Sequence, residues 1–188
     1  MHVGGPCKPV VKAGDKVKRG QLIAEPSGLG ANIHASFTGE ISAVTDGEIV
    51  IKPDDVQNFD EYVKIPDTKT NLEAIAAAGV VGAGGAGFPT AVKLKTEIPN
   101  GSFIANAAEC EPLLAHNIHQ IEEHAAELVR GVKYAMEITK APKGYIAIKP
   151  KHKKAVIELI KAVRNEDNID VFRLPDMYPA GDERVIVR

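Results

Sequence analysis

Two cysteines, Cys7 and Cys110, are all the thiols in 188 residues. They stand in unrelated sequence contexts, which excludes a disulfide framework. Two thiolates also fall short of the four that usually hold an iron–sulfur cluster, so this chain carries no cluster of its own. A large charge of either sign is missing too: the net charge is −2, and no global attraction for nucleic acid follows from it. No apolar run approaches the roughly 18 residues of a membrane-spanning helix, and the start has no signal-peptide character. We therefore expect a cytoplasmic protein with no nucleic-acid partner and no direct membrane insertion. At 44% hydrophobic and 26% charged the chain can bury a core, as one domain or two small ones.

What is present divides into two grammars. Residues 1–65 read as short strands joined by turns, giving a small all-β domain. A turn is expected at Gly14-Asp15, another at Thr38-Gly39, and a type I′ hairpin turn at Asp46-Gly47, where positive φ suits both central positions. The order "VKAGDKVKRGQLIAE … IHASFTGEI" resembles the biotinyl/lipoyl-type barrel-sandwich module. That family carries a modifiable lysine on a hairpin between these segments, yet no lysine occurs from Gly20 to Ile51. The module is therefore read as structural, not as a swinging arm.

The stretch "PDDVQNFDEYVKIPDTKT" reads as a linker, after which the period changes. "NLEAIAA" predicts a short helix and "SFIANAAE" a strand. "PLLAHNIHQIEEHAAELVRGVKYAMEITKA" predicts a long helix with Pro112 in its first turn. "KGYIAIKP", "HKKAVIELIKAVRN" and "NIDVFRLP" continue as strand, helix and strand. Residues 66–188 are thus an α/β domain with a largely parallel sheet of three or more strands. Because the chain stops in the apolar run "RVIVR" with no terminal turn, we expect a piece cut from a longer protein.

Between linker and sheet lies "GVVGAGGAGFPTAVKLK", with five glycines from Gly79 to Gly87. Gly82, Gly84 and Gly87 fit G-x-G-x-x-G, but a helix-prone run precedes them where a dinucleotide fingerprint needs a strand. A purely structural turn needs fewer glycines. Uncovered backbone N–H groups would instead let a phosphate or a flat ring approach, with Pro89 opening a helix and Lys93 in reach of the bound group. Two strand-end loops add polar groups where open α/β sheets bind ligands: Asn106, Glu109 and Glu111, then Tyr178, Gly181, Asp182 and Glu183. Asn106 could meet a ring edge, and the glutamates ribityl or ribose hydroxyls.

"GVVGAGGAGFPTAVKL", "NAAECEP" and "YPAGDE", in this order, resemble the flavin-binding domain shared by the Rnf-C family and the complex I flavoprotein. The likeness is nearest to the Rnf-C-like group that includes the electron-transfer protein of proline reductase, and the barrel-sandwich module in front matches that group. The resemblance implies non-covalent FMN, NADH or another reduced donor, and single-electron transfer to 4Fe-4S clusters in the rest of a longer protein. The fragment alone would be inactive. Partners would be other redox subunits or a soluble reductase, placing the protein in the cytoplasm or peripherally at the inner face of the membrane. Residue by residue, the resemblance puts the flavin on Gly82, Gly84, Gly85, Gly87, Lys93 and Asn106. Glu109 and Glu111 stand near flavin and nicotinamide, with Glu109 as the catalytic residue. Phe88 resembles the aromatic against the NADH adenine, and Tyr178, Gly181, Asp182 and Glu183 the third flavin loop. Complex I has Arg and Asp where this chain has Ala83 and Ala108, a departure toward the Rnf-C pattern. The competing class is a scaffold domain that has lost flavin and only joins redox partners.

Three features carry less. His116, His119 and His124 with Glu122 and Glu123 have spacings that a metal could use, but a solvated helix face explains them and no metal site is expected. Cys110 reads as a small buried residue. "KPKHKK", from Lys149 to Lys154, reads as a solvated basic helix entry, with a docking patch for an acidic partner as the sharper alternative.

Overall fold

The computed structural model describes residues 2–82, 86–109 and 115–187. Packing divides the chain into two compact units, Met1–Lys95 and Thr96–Arg188. The fold class expected from sequence is present: small antiparallel sheets first, then a parallel three-stranded sheet with helices.

In the first unit, β1 (Cys7–Pro9), β3 (Leu22–Pro26) and β4 (Ile33–His34) form one antiparallel sheet. β2 (Lys16–Val17), β5 (Gly39–Val44) and β6 (Ile49–Pro53) form the other. Alternation along β5 buries Ile41 completely while Glu40 and Ser42 face solvent. Ile41 packs with Val17, Ile23 and Ala35 into a small core. The β5–β6 hairpin turns at Asp46-Gly47 as expected, but neither residue takes positive φ. The ends are instead drawn together by Thr45 N–H donating to the Glu48 carbonyl at 2.9 Å, so the turn is not type I′. The Pro- and Asp-rich stretch after β6 is tied down rather than free. Gln57 accepts from Thr38 N–H and donates to the Thr38 carbonyl, while Arg19 donates to the Phe59 carbonyl and lies 5.4 Å from that ring's centroid.

Helix α1 (Asn71–Ala77) starts on Thr70, whose hydroxyl accepts from Glu73 N–H, while the Glu73 carboxylate reaches back to Lys69 N–H. This reciprocal pairing satisfies donors that a helix start leaves open. The helix stops at Gly79, φ +67°, with Val80 N–H on the Ile75 carbonyl and Gly79 N–H on that of Ala76. That is the Schellman arrangement. The first glycine of the cluster is therefore a helix stop.

In the second unit, β7 (Ser102–Asn106), β8 (Lys143–Ile148) and β9 (Ile169–Arg173) pair in parallel in that order. Helices α3 (His116–Thr139) and α4 (Lys153–Val163) are the crossovers. α3 buries Ile118, Ile121, Ala125, Val129, Val132 and Met136, a helical stripe, though its backbone leaves helical geometry at His124. Central β8 is covered on both faces. Ile146 and Ile148 join the helical core, while Ala147 packs with Leu174 and Ala180. Pro112, expected in the first turn of α3, lies outside the described residues.

A Cβ added at Gly79 would lie 2.1 Å from the Asn32 carbonyl oxygen. Gly79→Ala should lower the unfolding free energy by about 2 kcal/mol or more, since left-handed backbone alone costs a side chain roughly 1–2 kcal/mol. Gly47 has open space and no positive φ, so Gly47→Ala should change it by less than about 1 kcal/mol. Urea denaturation of both variants checks this; equal effects would remove the helix-stop role.

Candidate functional site

Parallel strands end together, so the loops after β7, β8 and β9 share one edge of the sheet. The ladder continues past the strands there: Ala107 N–H donates to the Ala147 carbonyl, and Leu174 N–H to that of Ile148. Asn106 ties two of these loops. Its Nδ2 donates to the Gly181 carbonyl at 2.8 Å, and its Oδ1 accepts from Ala108 N–H at 3.1 Å. The structure therefore joins Asn106 and Gly181 directly, 75 residues apart in sequence.

The third loop is shaped by its own backbone. Ala180 is fully buried against Ala147 and Leu174, while Tyr178, before a cis proline, is exposed. Asp182 caps the short α5 (Glu183–Ile186) by accepting from Arg184 N–H. Glu109 has a side chain only 10% exposed. It accepts from Asn117 Nδ2 at 3.0 Å, with His116 Nδ1 at 4.0 Å. An open cleft of about 310 Å³ borders this point, lined in part by Asn106, Asn117, Gln120 and Leu128.

Three groups at the same edge carry no clear mark in the sequence. Lys149, just past β8, is 5% exposed, which corrects the reading of "KPKHKK" as a solvated run. His152 Nε2 is buried with no hydrogen-bond partner. Burial is the main cause holding the His152 imidazole below its ordinary pKa; Lys151 and Lys149 push the same way, while Asp176 and Glu109 oppose. Asp176 pairs with Lys151 at 3.2 Å. No spacing rule marks these residues. The one available signal was a lysine placed where an apolar strand ends.

The glycine segment belongs to the first unit. Gly82 N–H donates to the Phe88 carbonyl at 3.0 Å, Val81 bridges Pro89, and Gly87 takes φ +62°. The N–H of Gly82 is thus already engaged. Pro89 precedes an α2 (Thr90–Lys93) of only four residues, so the expected helix dipole is slight. Lys93 Nζ lies 5.7 Å from the centroid of Phe88. Gly84, Gly85, Cys110 and Glu111 lie outside the described residues. His116, His119 and His124 are exposed and stand near single carboxylates. Among the described residues no three potential ligands gather to hold a metal.

Comparison with known proteins places this geometry. Residues 75–188 match the Nuo51 FMN-binding domain family, and residues 1–59 the RnfC barrel sandwich hybrid domain. The chain belongs to the Rnf-C family. The RnfC-type component of the Na(+)-translocating ferredoxin:NAD(+) oxidoreductase complex of Acetobacterium woodii is 35% identical across this whole chain, which covers 46% of that protein. Cobalamin reductase PduS of Salmonella typhimurium is 50% identical over 59% of this chain and 24% of its own length. The chain thus spans less than half of either relative. A crystal structure of an NAD+-reducing NiFe-hydrogenase shares the fold, with TM-score 0.53 and 23% identity over 62% of this chain and 22% of that one. Among the described residues no helix is long and apolar enough to cross a membrane.

Asn106→Ala should lower stability by about 1–2 kcal/mol, for the hydrogen bonds it removes, and speed hydrogen exchange at the Ala108 amide. Asn106→Asp keeps the acceptor for Ala108 and loses the donor to Gly181, so it should protect the Ala108 amide while still loosening 178–183. Uniform exchange in both variants would show that Asn106 does not tie these loops.

His34 is likewise held below its ordinary pKa by burial. As pH falls through about 6.5 the unfolded chain binds protons before the folded one. The contribution of both histidines is thus complete above that pH and is lost as pH drops through their lowered folded values. Urea unfolding above and below that pH should show the loss, and the double variant His34→Gln/His152→Gln should reduce it. An unchanged slope would refute the assignment.

Proposed function

We propose that this chain is the flavin-bearing part of an electron-transfer oxidoreductase that binds FMN non-covalently. The observation that carries this reading is the match of residues 75–188 to an FMN-binding domain family. The donor set supports it. The strand-end edge offers a carboxylate in Glu109 and the buried, unpartnered nitrogen of His152, groups that suit a polar mononucleotide. When bound, FMN would supply the redox chemistry, exchanging a pair of electrons on one side and single electrons on the other.

The residues divide the work between the units. In the first unit Gly82, Gly84, Gly85 and Gly87 offer backbone to the cofactor, with Lys93 and Phe88 beside them. In the second, Asn106, Tyr178, Gly181, Asp182 and Glu183 shape the edge, and Glu111 stands with Glu109. Glu109, held by Asn117, orients the donor rather than retaining the flavin. The donor is NADH or another reduced carrier, and the electrons leave to iron–sulfur clusters elsewhere in the assembly. Working partners are other redox subunits, or a soluble reductase such as proline reductase, met at the cytoplasmic face of a membrane or in solution. The functional division falls at residues 65/66, between the two matched segments.

Reconstitution of the complete protein with FMN, followed by its visible spectrum, tests the reading; no flavin bound at micromolar protein would favour a scaffold role. Glu109→Gln should keep flavin content while reduction by NADH slows about tenfold, equal to roughly 1.4 kcal/mol. Lys93→Ala should instead loosen FMN. The opposite pattern would reverse the two roles.

A further inference from the structure

We propose that Lys149 and His152 form a donor pair that receives an anionic acceptor of the bound flavin nucleotide, an inference that rests on the flavin reading above. Side chains alternate along β8, so Lys149, two residues beyond Ala147, shares its face. That face is the one covered by Leu174 and Ala180 and by the loop carrying Gly181 and Asp182. Pro150 and Lys151 then turn the chain, closed by His152 N–H on the Lys149 carbonyl at 3.3 Å. The turn brings the imidazole back beside the lysine.

The neighbouring charges are already satisfied. Asp176 pairs with Lys151 at 3.2 Å, and Glu109 accepts from Asn117 with His116 close by. Lys149 is 5% exposed and, among the described residues, makes no hydrogen bond or ion pair. His152 Nε2 is buried and equally unpartnered. Burying an ammonium without a counter-charge is strongly unfavourable, and a buried ring nitrogen without a partner forfeits a hydrogen bond. Buried polar groups in folded proteins are nearly always satisfied, and two orphans side by side at a ligand-binding edge call for one external acceptor. The ammonium selects an anion. A flavin mononucleotide presents two: its phosphate, and the N1–C2=O edge of the ring, which gains negative charge on reduction.

Lys149→Met keeps the length and burial of the side chain and removes the charge; Lys149→Arg keeps the charge. Binding of FMN and of riboflavin, the midpoint potential of the bound flavin, and the flavin-free thermal midpoint are measured for each variant in the complete protein. Lys149→Met should leave the flavin-free midpoint unchanged or raise it, and Lys149→Arg should preserve binding within about threefold. FMN affinity falling tenfold with riboflavin unaffected assigns the pair to the phosphate. Unchanged oxidised binding with a potential lowered by about 30 mV, the two-electron equivalent of a tenfold loss for the reduced form, assigns it to the ring edge. No change in affinity or potential overturns the proposal. So does flavin loss accompanied by a lower flavin-free midpoint in both variants. If the wild type binds neither flavin, the flavin reading fails and inorganic phosphate judges the pair alone. A thermal midpoint raised by phosphate in the wild type but not in Lys149→Met sustains an anion site, and no rise overturns it.

Discussion

In a parallel sheet all strands run out at one edge, and here the middle strand is buried on both faces. β8 cannot shift without disturbing Ile146 and Ile148 on one side and Ala147 on the other. The backbone bonds from Ala107 to Ala147 and from Leu174 to Ile148 fasten the two neighbouring loops to its end. Every candidate group of the second unit takes its position from that fixed point. Asn106 and Gly181 then meet across it. The local loops supply chemistry, and the apolar strand supplies the precision.

The glycine segment illustrates how one run of residues can serve several constraints. Gly79 ends a helix in a conformation and a space that admit no side chain. Gly87 takes positive φ where the chain returns so that Phe88 can accept from Gly82. Two of the five glycines are thus explained by backbone geometry before any ligand is considered. The ligand argument therefore falls on Gly84 and Gly85, and on the family match that covers them. A count of glycines alone would have overstated the case.

Periodicity made the second unit legible, because a parallel sheet wrapped by helices writes its pattern plainly. The apolar run "YIAI" and the stripe in α3 each fall where the structure places them. The first unit was legible only in outline. Its strands are two to six residues long, so turns carry much of the geometry, and turn type depends on neighbours that sequence does not display. Asp46-Gly47 turned the chain by another route, and Gln57 converted an apparent linker into a strap. At the site, Asn106 was visible as an amide after a strand. Lys149 was not, since a lysine among lysines gives no hint that burial singles it out. Asn117 was hidden for a related reason: its value lies in holding Glu109, eight residues away across the start of α3.

That restraint on Glu109 also explains how opposite charges can coexist at one edge without cancelling. A free carboxylate beside a buried ammonium would collapse onto it, since an ion pair with good hydrogen bonds is the lowest state available to both. Glu109 is instead drawn toward α3 by Asn117, and Asp176 is held by Lys151. Neither forms an ion pair with Lys149. Each anion is committed to a neighbour on its own side, which leaves the lysine and the imidazole facing inward together. Asn117→Ala would release Glu109, and if this restraint is what keeps the edge open, the carboxylate should then move to Lys149. The measurable consequence is a weaker response of the thermal midpoint to inorganic phosphate in Asn117→Ala than in the wild type. An undiminished response would mean that the sheet alone holds the charges apart.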